Sequence, residues 1–100
     1  MGTNVSRKGD TLTTGHVCAS TTTLATPGQG DVYAQGKLVA RVSDPTVSHP
    51  FPPLPLCPPH TAYVNSGSPS VYCHGKKVAR INSSADAGNM IEGAPLVNCA

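Results

Sequence analysis

The sequence predicts a small all-β protein, built from short β-hairpin repeats with pseudo-threefold symmetry and pinned at one end by a metal ion. Three observations lead to this prediction: a composition rich in turn-forming residues, an internal repeat, and His and Cys residues in matching loops. The 100-residue chain has 10 Gly and 10 Pro, but only three Tyr, one Phe and no Trp. Such a composition favours turns and short strands over helices. A chain of this length forms one domain, here residues 1–100, with a small core.

The internal repeat is the strongest signal in the sequence. Residues 28–42 and 67–81 share the pattern G-x-x-x-V-Y-x-x-G-K-x-V-A-R. In each copy Val-Tyr predicts a first strand, x-x-Gly-Lys predicts a tight turn with Gly at positive φ, and Val-Ala-Arg predicts a second strand. The segments between the hairpins, residues 11–27, 45–59 and 82–92, lack periodicity and are predicted to be loops.

Two partial copies lie at the ends of the chain. Residues 93–97 match the start of the repeat at 67–71, and residues 7–11 resemble residues 41–45. The last copy therefore lacks its return strand, and the first lacks its hairpin. We infer a pseudo-threefold protein whose N- and C-terminal pieces together complete one face.

The loops carry the residues suited to a metal site. His16 and Cys18 lie in the first loop, and His49, Cys57 and His60 lie in the second. Equivalent loops around a threefold axis converge at one end, and Cys57-Pro-Pro-His60 has a short spacing that lets two ligands bind one ion. The predicted ligands are His16, His49, His60 and Cys57, with Cys18 as the alternative fourth ligand. Nitrogen and sulfur ligation favours structural zinc, with iron as an alternative.

The remaining Cys and His residues have weaker assignments. Cys73 and His74 occupy a hairpin turn and are predicted to be surface or partner-facing residues, whereas Cys99 is left as a buried thiol without an assigned role. The N-terminus lacks the apolar stretch of a signal peptide, so we expect synthesis in the cytoplasm and no disulfide framework. Asp10 and Asp44 recur with the repeat and are predicted to tie down turns through their side chains.

Several function classes are disfavoured. The net charge of +2 is small and scattered, so no nucleic acid is expected as a partner. No apolar run is long enough to span a membrane. An enzyme is not expected either, because a C-x-x-H spacing alone supplies neither a positioned base nor an oxyanion site.

The repeated residues resemble a known family. Val39-Ala40-Arg41 and Val78-Ala79-Arg80, each after a Gly-Lys turn, are similar to the Pro-Ala-Ala-Arg motif of the PAAR-repeat proteins. The Gly9-Asp10 pair followed by His16 looks like that family's opening, and Asp44 followed by two His residues looks like its second unit. The chain departs from the pattern where Val replaces the motif's Pro. It departs again in the last loop, where the family often has a Cys and this chain has residues 86–88, Asp-Ala-Gly.

The resemblance implies a compact cone or pyramid with a metal, usually zinc, near its apex. Such proteins are structural tips that cap the trimeric β-helical spike of a contractile injection machine, one tip per trimer, and pierce the target membrane. The machine is either a phage tail or a type VI secretion system, so the protein is expected at a virion spike tip or among the exported parts. We expect no toxin domain on this protein, which favours a bare tip. An adaptor that recruits cargo to the spike is the first alternative, and a small metal or thiol enzyme the second.

Overall fold

The computed structural model describes residues 3–99. These residues form twelve short strands and no helix, so none of them lies in a helix that could cross a membrane. The strands pair into six two-stranded antiparallel sheets. Their bounds are β1 Thr3–Asn4, β2 Thr11–His16, β3 Ala19–Thr23, β4 Tyr33–Ala34, β5 Lys37–Leu38, β6 His49–Pro50, β7 Pro59–His60, β8 Tyr72–Cys73, β9 Lys76–Lys77, β10 Ser84–Ala85, β11 Gly88–Asn89 and β12 Asn98–Cys99.

Both predicted repeat hairpins are present. β4 pairs with β5 and β8 pairs with β9 in the same register. Their two-residue turns place Gln35-Gly36 and His74-Gly75 at positive φ, as the Gly in the repeat requires. The return strand, however, is shorter than predicted. After two paired residues, Val39 and Val78 each keep one backbone bond to their own hairpin, and the Val-Ala-Arg segments then form bridges with other segments of the chain.

The two chain ends supply the third hairpin, which confirms the inference from the partial copies. β1 pairs with β12, with Thr3 opposite Cys99 and Asn4 opposite Asn98. Each of the three sheets is followed by an equivalent backbone hydrogen bond: Val39 donates to Val32, Val78 to Val71, and Val5 to Val97. We call the surface formed by these three sheets the base.

The Val-Ala-Arg segments and their counterpart at residues 5–7 close into a ring. Arg7 bridges to Val39, Arg41 to Val78, and Arg80 back to Val5. At the centre the backbone hydrogen bonds also run in a cycle: Ala40 donates to Ser6, Ser6 to Ala79, and Ala79 to Ala40. These three residues are fully buried, since only small side chains fit where three segments meet at one axis. The ring is the pseudo-threefold element of the fold.

Two apolar clusters lie against this ring. The first joins Leu12, Leu24, Val64, Ala85 and Met90 with the two ring alanines. The second belongs to the base and is made of Val5, Ala34, Val39, Cys73, Val78 and Ala94. With few aromatic residues, both are small, so the fold depends on its cross-links as well as on its core.

The segments predicted to be loops contain the other three hairpins, which is a correction. The Thr-rich stretch forms β2 and β3, the longest strands of the molecule, while β6–β7 and β10–β11 lie in the other two segments. In β2 and β3, Thr and Ser lie on both faces, so the sequence shows no clear alternation of apolar and polar residues. Within the described chain, these hairpins contact one another and none of the base strands. We call them the apical hairpins, and they lie at one end of a molecule measuring 42 × 26 × 21 Å.

Candidate metal centre

The apical hairpins bring the three predicted His residues together. His16 is the last residue of β2, and His49 and His60 face each other across the β6–β7 sheet. Antiparallel pairing fixes the spacing of His49 and His60, because directly opposed side chains point to the same face of a sheet. Contacts between β3 and β6 set the first hairpin beside the second.

The third apical hairpin contributes Asp86, which the sequence analysis did not select. Asp86 stands in the turn between β10 and β11 at a φ of 55°, a conformation that Asp tolerates better than most residues. The hairpin packs closely on β2: a Cβ on Gly15 would lie 2.2 Å from the Ala87 carbonyl oxygen, and one on Gly88 would lie 2.1 Å from that of Thr13. Glycine at both positions therefore allows the approach that places the Asp86 carboxylate next to His16.

Four side-chain atoms converge on one point. Asp86 Oδ2 lies 2.8 Å from Nε2 of His16, 2.8 Å from Nε2 of His49 and 3.2 Å from Nε2 of His60. His49 Nε2 is 3.3 Å from that of His16 and 2.9 Å from that of His60. Ligand atoms of a tetrahedral zinc site lie about 3.3 Å apart, since each Zn–N bond is about 2.0 Å. The spacing of the cluster is close to that arrangement.

The tautomers of two rings direct lone pairs into the cluster. His16 Nδ1 donates to the Val17 carbonyl at 2.9 Å, and His49 Nδ1 donates to the Val47 carbonyl at 2.8 Å. A carbonyl oxygen only accepts, so in the neutral form of each ring Nε2 has no proton and carries the lone pair. Two such lone pairs and a carboxylate oxygen facing one another repel unless a cation or a proton lies between them. Nδ1 bonds of this kind also orient metal-ligating His residues.

The electrostatics of the cluster favour a carboxylate in its charged form. Burial by itself raises the pKa of Asp86, but hydrogen bonds from the three His rings, which donate when their Nε2 atoms are protonated, outweigh it and hold the pKa below its usual value. Burial lowers the pKa of His16, and its bonds to Val17 and Asp86 reverse this to a net rise. The side chains of His16, His49 and Asp86 are less than 10% exposed, whereas His60 is 25% exposed beneath the ring of Phe51. This His₃Asp set could hold one metal ion.

Cys57 is not part of this cluster, contrary to the predicted ligand set. Its sulfur is bonded to Cys18, so neither cysteine has the free thiolate that metal binding needs. The expectation of a chain without disulfides is corrected by the same bond. The only sign of Asp86 in the sequence was its position, in the last loop where the resembled family often has a Cys; a carboxylate there is an equivalent anionic ligand.

The other unassigned residues lie at the base. His74 is exposed and its Nε2 lies 2.5 Å from Asp31 Oδ1, in agreement with a surface position. Cys73 is instead buried among the base valines, and this burial raises the pKa of its thiol. Cys99 is a free, partly buried thiol packed against the same cluster. Neither thiol lies in the apical cluster.

These features define a class: an all-β protein of three quasi-equivalent units, with a cluster at one end that could hold a metal ion. The model of the PAAR motif family matches residues 14–93, which is most of the chain. The protein therefore belongs to the PAAR motif family. This is a structural family of spike-tip proteins from contractile injection systems, not an enzyme family. Comparison with curated proteins gives no significant match.

Proposed function

We propose that this protein caps the trimeric β-helical spike of a contractile injection machine, one copy per trimer, and leads the spike through the target membrane. The observation that carries the proposal is the closed ring of residues 5–7, 39–41 and 78–80. A single chain with three quasi-equivalent faces can meet a threefold partner with each of them. An enzyme or an adaptor for an asymmetric partner would gain nothing from that arrangement.

The base has the properties of the docking surface. Val32, Val71 and Val97 occupy equivalent places around it and surround a shallow cavity of about 220 Å³. Two equivalent tyrosines, Tyr33 and Tyr72, are more than half exposed beside them. Three equivalent valines and two equivalent tyrosines suit the end of a β-helical trimer, and such apolar and aromatic groups commonly form the centre of an interface.

The apical cluster is proposed as a structural metal site with His16, His49, His60 and Asp86 as ligands. Three imidazoles and one carboxylate fit zinc, with iron as the alternative. Four protein ligands complete a tetrahedral site and leave no open position for a substrate, which supports a structural role. The ion would join three hairpins that share only small sheets and a small core.

A complex with the trimeric spike protein tests the proposal. Native mass spectrometry is expected to give one chain per spike trimer, and Val71→Glu, at the base, is expected to abolish the complex. Val47→Glu is the matched control, because Val47 is exposed on the apical half. A stoichiometry other than one to three, or a complex that survives Val71→Glu and not Val47→Glu, would overturn the proposed docking. The location that follows is a virion spike tip or the exported part of a secretion machine.

A further inference from the structure

The apical end of the molecule exposes a group of apolar side chains. Val17 is 58% exposed, Phe51 36%, Leu54 63% and Leu56 82%. Three of them belong to the proline-rich connection between β6 and β7, and Val17 stands in the neighbouring β2–β3 turn. We call these four residues the apical patch. In a chain with a small core, two leucines exposed to water contribute no hydrophobic free energy unless another surface covers them.

The surroundings of the apical patch carry almost no charge. Residues 11–30 and 45–75 contain no Lys, Arg, Asp or Glu. In the third apical hairpin the charged side chain is Asp86, which is 6% exposed and faces the His cluster. All four lysines lie outside these segments, at positions 8, 37, 76 and 77. If the apical end enters a medium of low polarity, residues 11–30 and 45–75 therefore carry no Lys, Arg, Asp or Glu side chain that would have to lose its water.

The backbone of the patch also presents few N–H donors. Residues 50–59 include six prolines, which have no N–H group, so only four backbone donors remain. Two of them are already bonded within the segment: Phe51 donates to the Pro58 carbonyl, and Cys57 to the Pro53 carbonyl. In a lipid environment each unsatisfied backbone group costs several kcal/mol, and such a segment presents unusually few donors.

The patch is firmly supported. The Cys18–Cys57 bond ties the proline-rich connection to the turn that carries Val17. Phe51 stacks on His60 with ring centroids 4.1 Å apart. A preformed apolar surface loses little conformational entropy when it is buried, so its apolar area is available for binding.

We propose that the apical patch inserts into a lipid bilayer, at the boundary between headgroups and acyl chains. The proposal rests on the proposed function, because it identifies lipid as the first partner of the tip and names the residues that enter it. Exposed Leu and Phe side chains are the groups that interfacial segments bury at this boundary. The absence of nearby Lys, Arg, Asp and Glu and the small number of backbone N–H donors lower the cost of burying this end. A hydrophilic protein partner would leave these features unused.

A pair of tryptophan variants tests the proposal on the full chain. Leu56 and Leu96 are both 82% exposed, but Leu96 belongs to the base, where its N–H donates to Gln35. The protein has no Trp of its own, so Leu56→Trp and Leu96→Trp each provide a single emission signal. The probe is a vesicle of zwitterionic phosphatidylcholine, to which lysines are not attracted by charge. Leu56→Trp is expected to shift to the blue and to be quenched by brominated acyl chains, while Leu96→Trp stays unchanged.

Flotation with the same vesicles measures the contribution of the native side chains. Replacing Leu54 and Leu56 by Ser is expected to lower the bound fraction about tenfold or more, whereas Leu96→Ser leaves it unchanged. No response from Leu56→Trp, or an equal response from both Trp variants, would overturn the proposal. Binding to spike trimers is measured separately. Loss of lipid insertion with normal spike binding contradicts only this inference, and lipid insertion without spike binding contradicts only the proposed docking.

Discussion

Arg41 and Asp44 form a two-pronged ion pair inside their repeat. Asp44 accepts from Nε and Nη2 of Arg41, each at 3.2 Å, and from the Arg41 backbone N–H at 2.8 Å. Arg7 and Asp10 repeat the same three bonds. In the third unit Ser83 stands in the place of the Asp, and its hydroxyl accepts only from the Arg80 backbone N–H. Arg80 Nε is buried and has no hydrogen-bond partner among residues 3–99.

Ser83→Asp is therefore expected to stabilise the protein. The new carboxylate would repeat the pairing of the other two units and satisfy Arg80 Nε, worth about 1 kcal/mol for a charged hydrogen bond at a partly exposed site. In a domain of this size that raises the melting temperature by roughly 4–8 °C. Thermal unfolding followed by circular dichroism measures it. Asp44→Ser, the reverse change, is expected to lower the melting temperature. An unchanged melting temperature for Ser83→Asp would contradict the prediction, because it would show that the Arg80 guanidinium does not turn to pair with the new carboxylate.

Metal content separates the ligand set of the structure from that of the sequence prediction. Plasma mass spectrometry of the purified protein is expected to find about one zinc or iron per chain. Asp86→Ala and His49→Ala remove a converging ligand atom and are expected to lose the ion. Cys57→Ser should keep it, as should the control His74→Ala at the base. If Asp86→Ala keeps the ion and Cys57→Ser loses it, the fourth ligand is the Cys57 thiolate and not Asp86.

Reduction of Cys18–Cys57 is expected to destabilise the apical end. The bond joins residues 39 positions apart, and opening such a loop costs about 2–4 kcal/mol through the entropy of the unfolded chain. Urea unfolding with and without reductant measures the difference, and the ion should be removed first because it also links these hairpins. A Cys18→Ser/Cys57→Ser variant serves as control and should respond to reductant no further. Equal stability of the oxidised and reduced wild type would contradict the prediction.

Gly88→Ala tests whether close packing of β11 on β2 positions Asp86. The added methyl would lie 2.1 Å from the Thr13 carbonyl oxygen, so the hairpin must move away and carry Asp86 with it. We expect a loss of about 1–3 kcal/mol of stability together with weaker metal binding, measured by chelator competition. The matched control is Gly30→Ala, whose new methyl meets nothing within 4 Å. If Gly88→Ala binds metal as tightly as Gly30→Ala, the packing does not set the site.

The sequence by itself determined the features that repeat along the chain. The G-x-x-x-V-Y-x-x-G-K-x-V-A-R pattern predicted the hairpins at 33–38 and 72–77, because tight turns and short strands are set by neighbouring residues. The partial copies predicted that the two chain ends pair. His16, His49 and His60 were selected from matching loops, and the structure brings them together. The side-chain role of Asp44 followed from its recurrence and is confirmed by its bond to the Arg41 backbone.

Tertiary structure alone decided what depends on residues far apart in the chain. Asp86 joins His16 across 70 positions, and its place in the cluster follows from two glycines that let hairpins approach, a contact with no local pattern. Cys57 was assigned to the metal from its spacing to His60, but folding sets its sulfur against Cys18. The strands of the Thr-rich segment were missed because their residues do not alternate in polarity. Spacing along a chain limits which side chains can meet, and only the packing of the hairpins selects those that do.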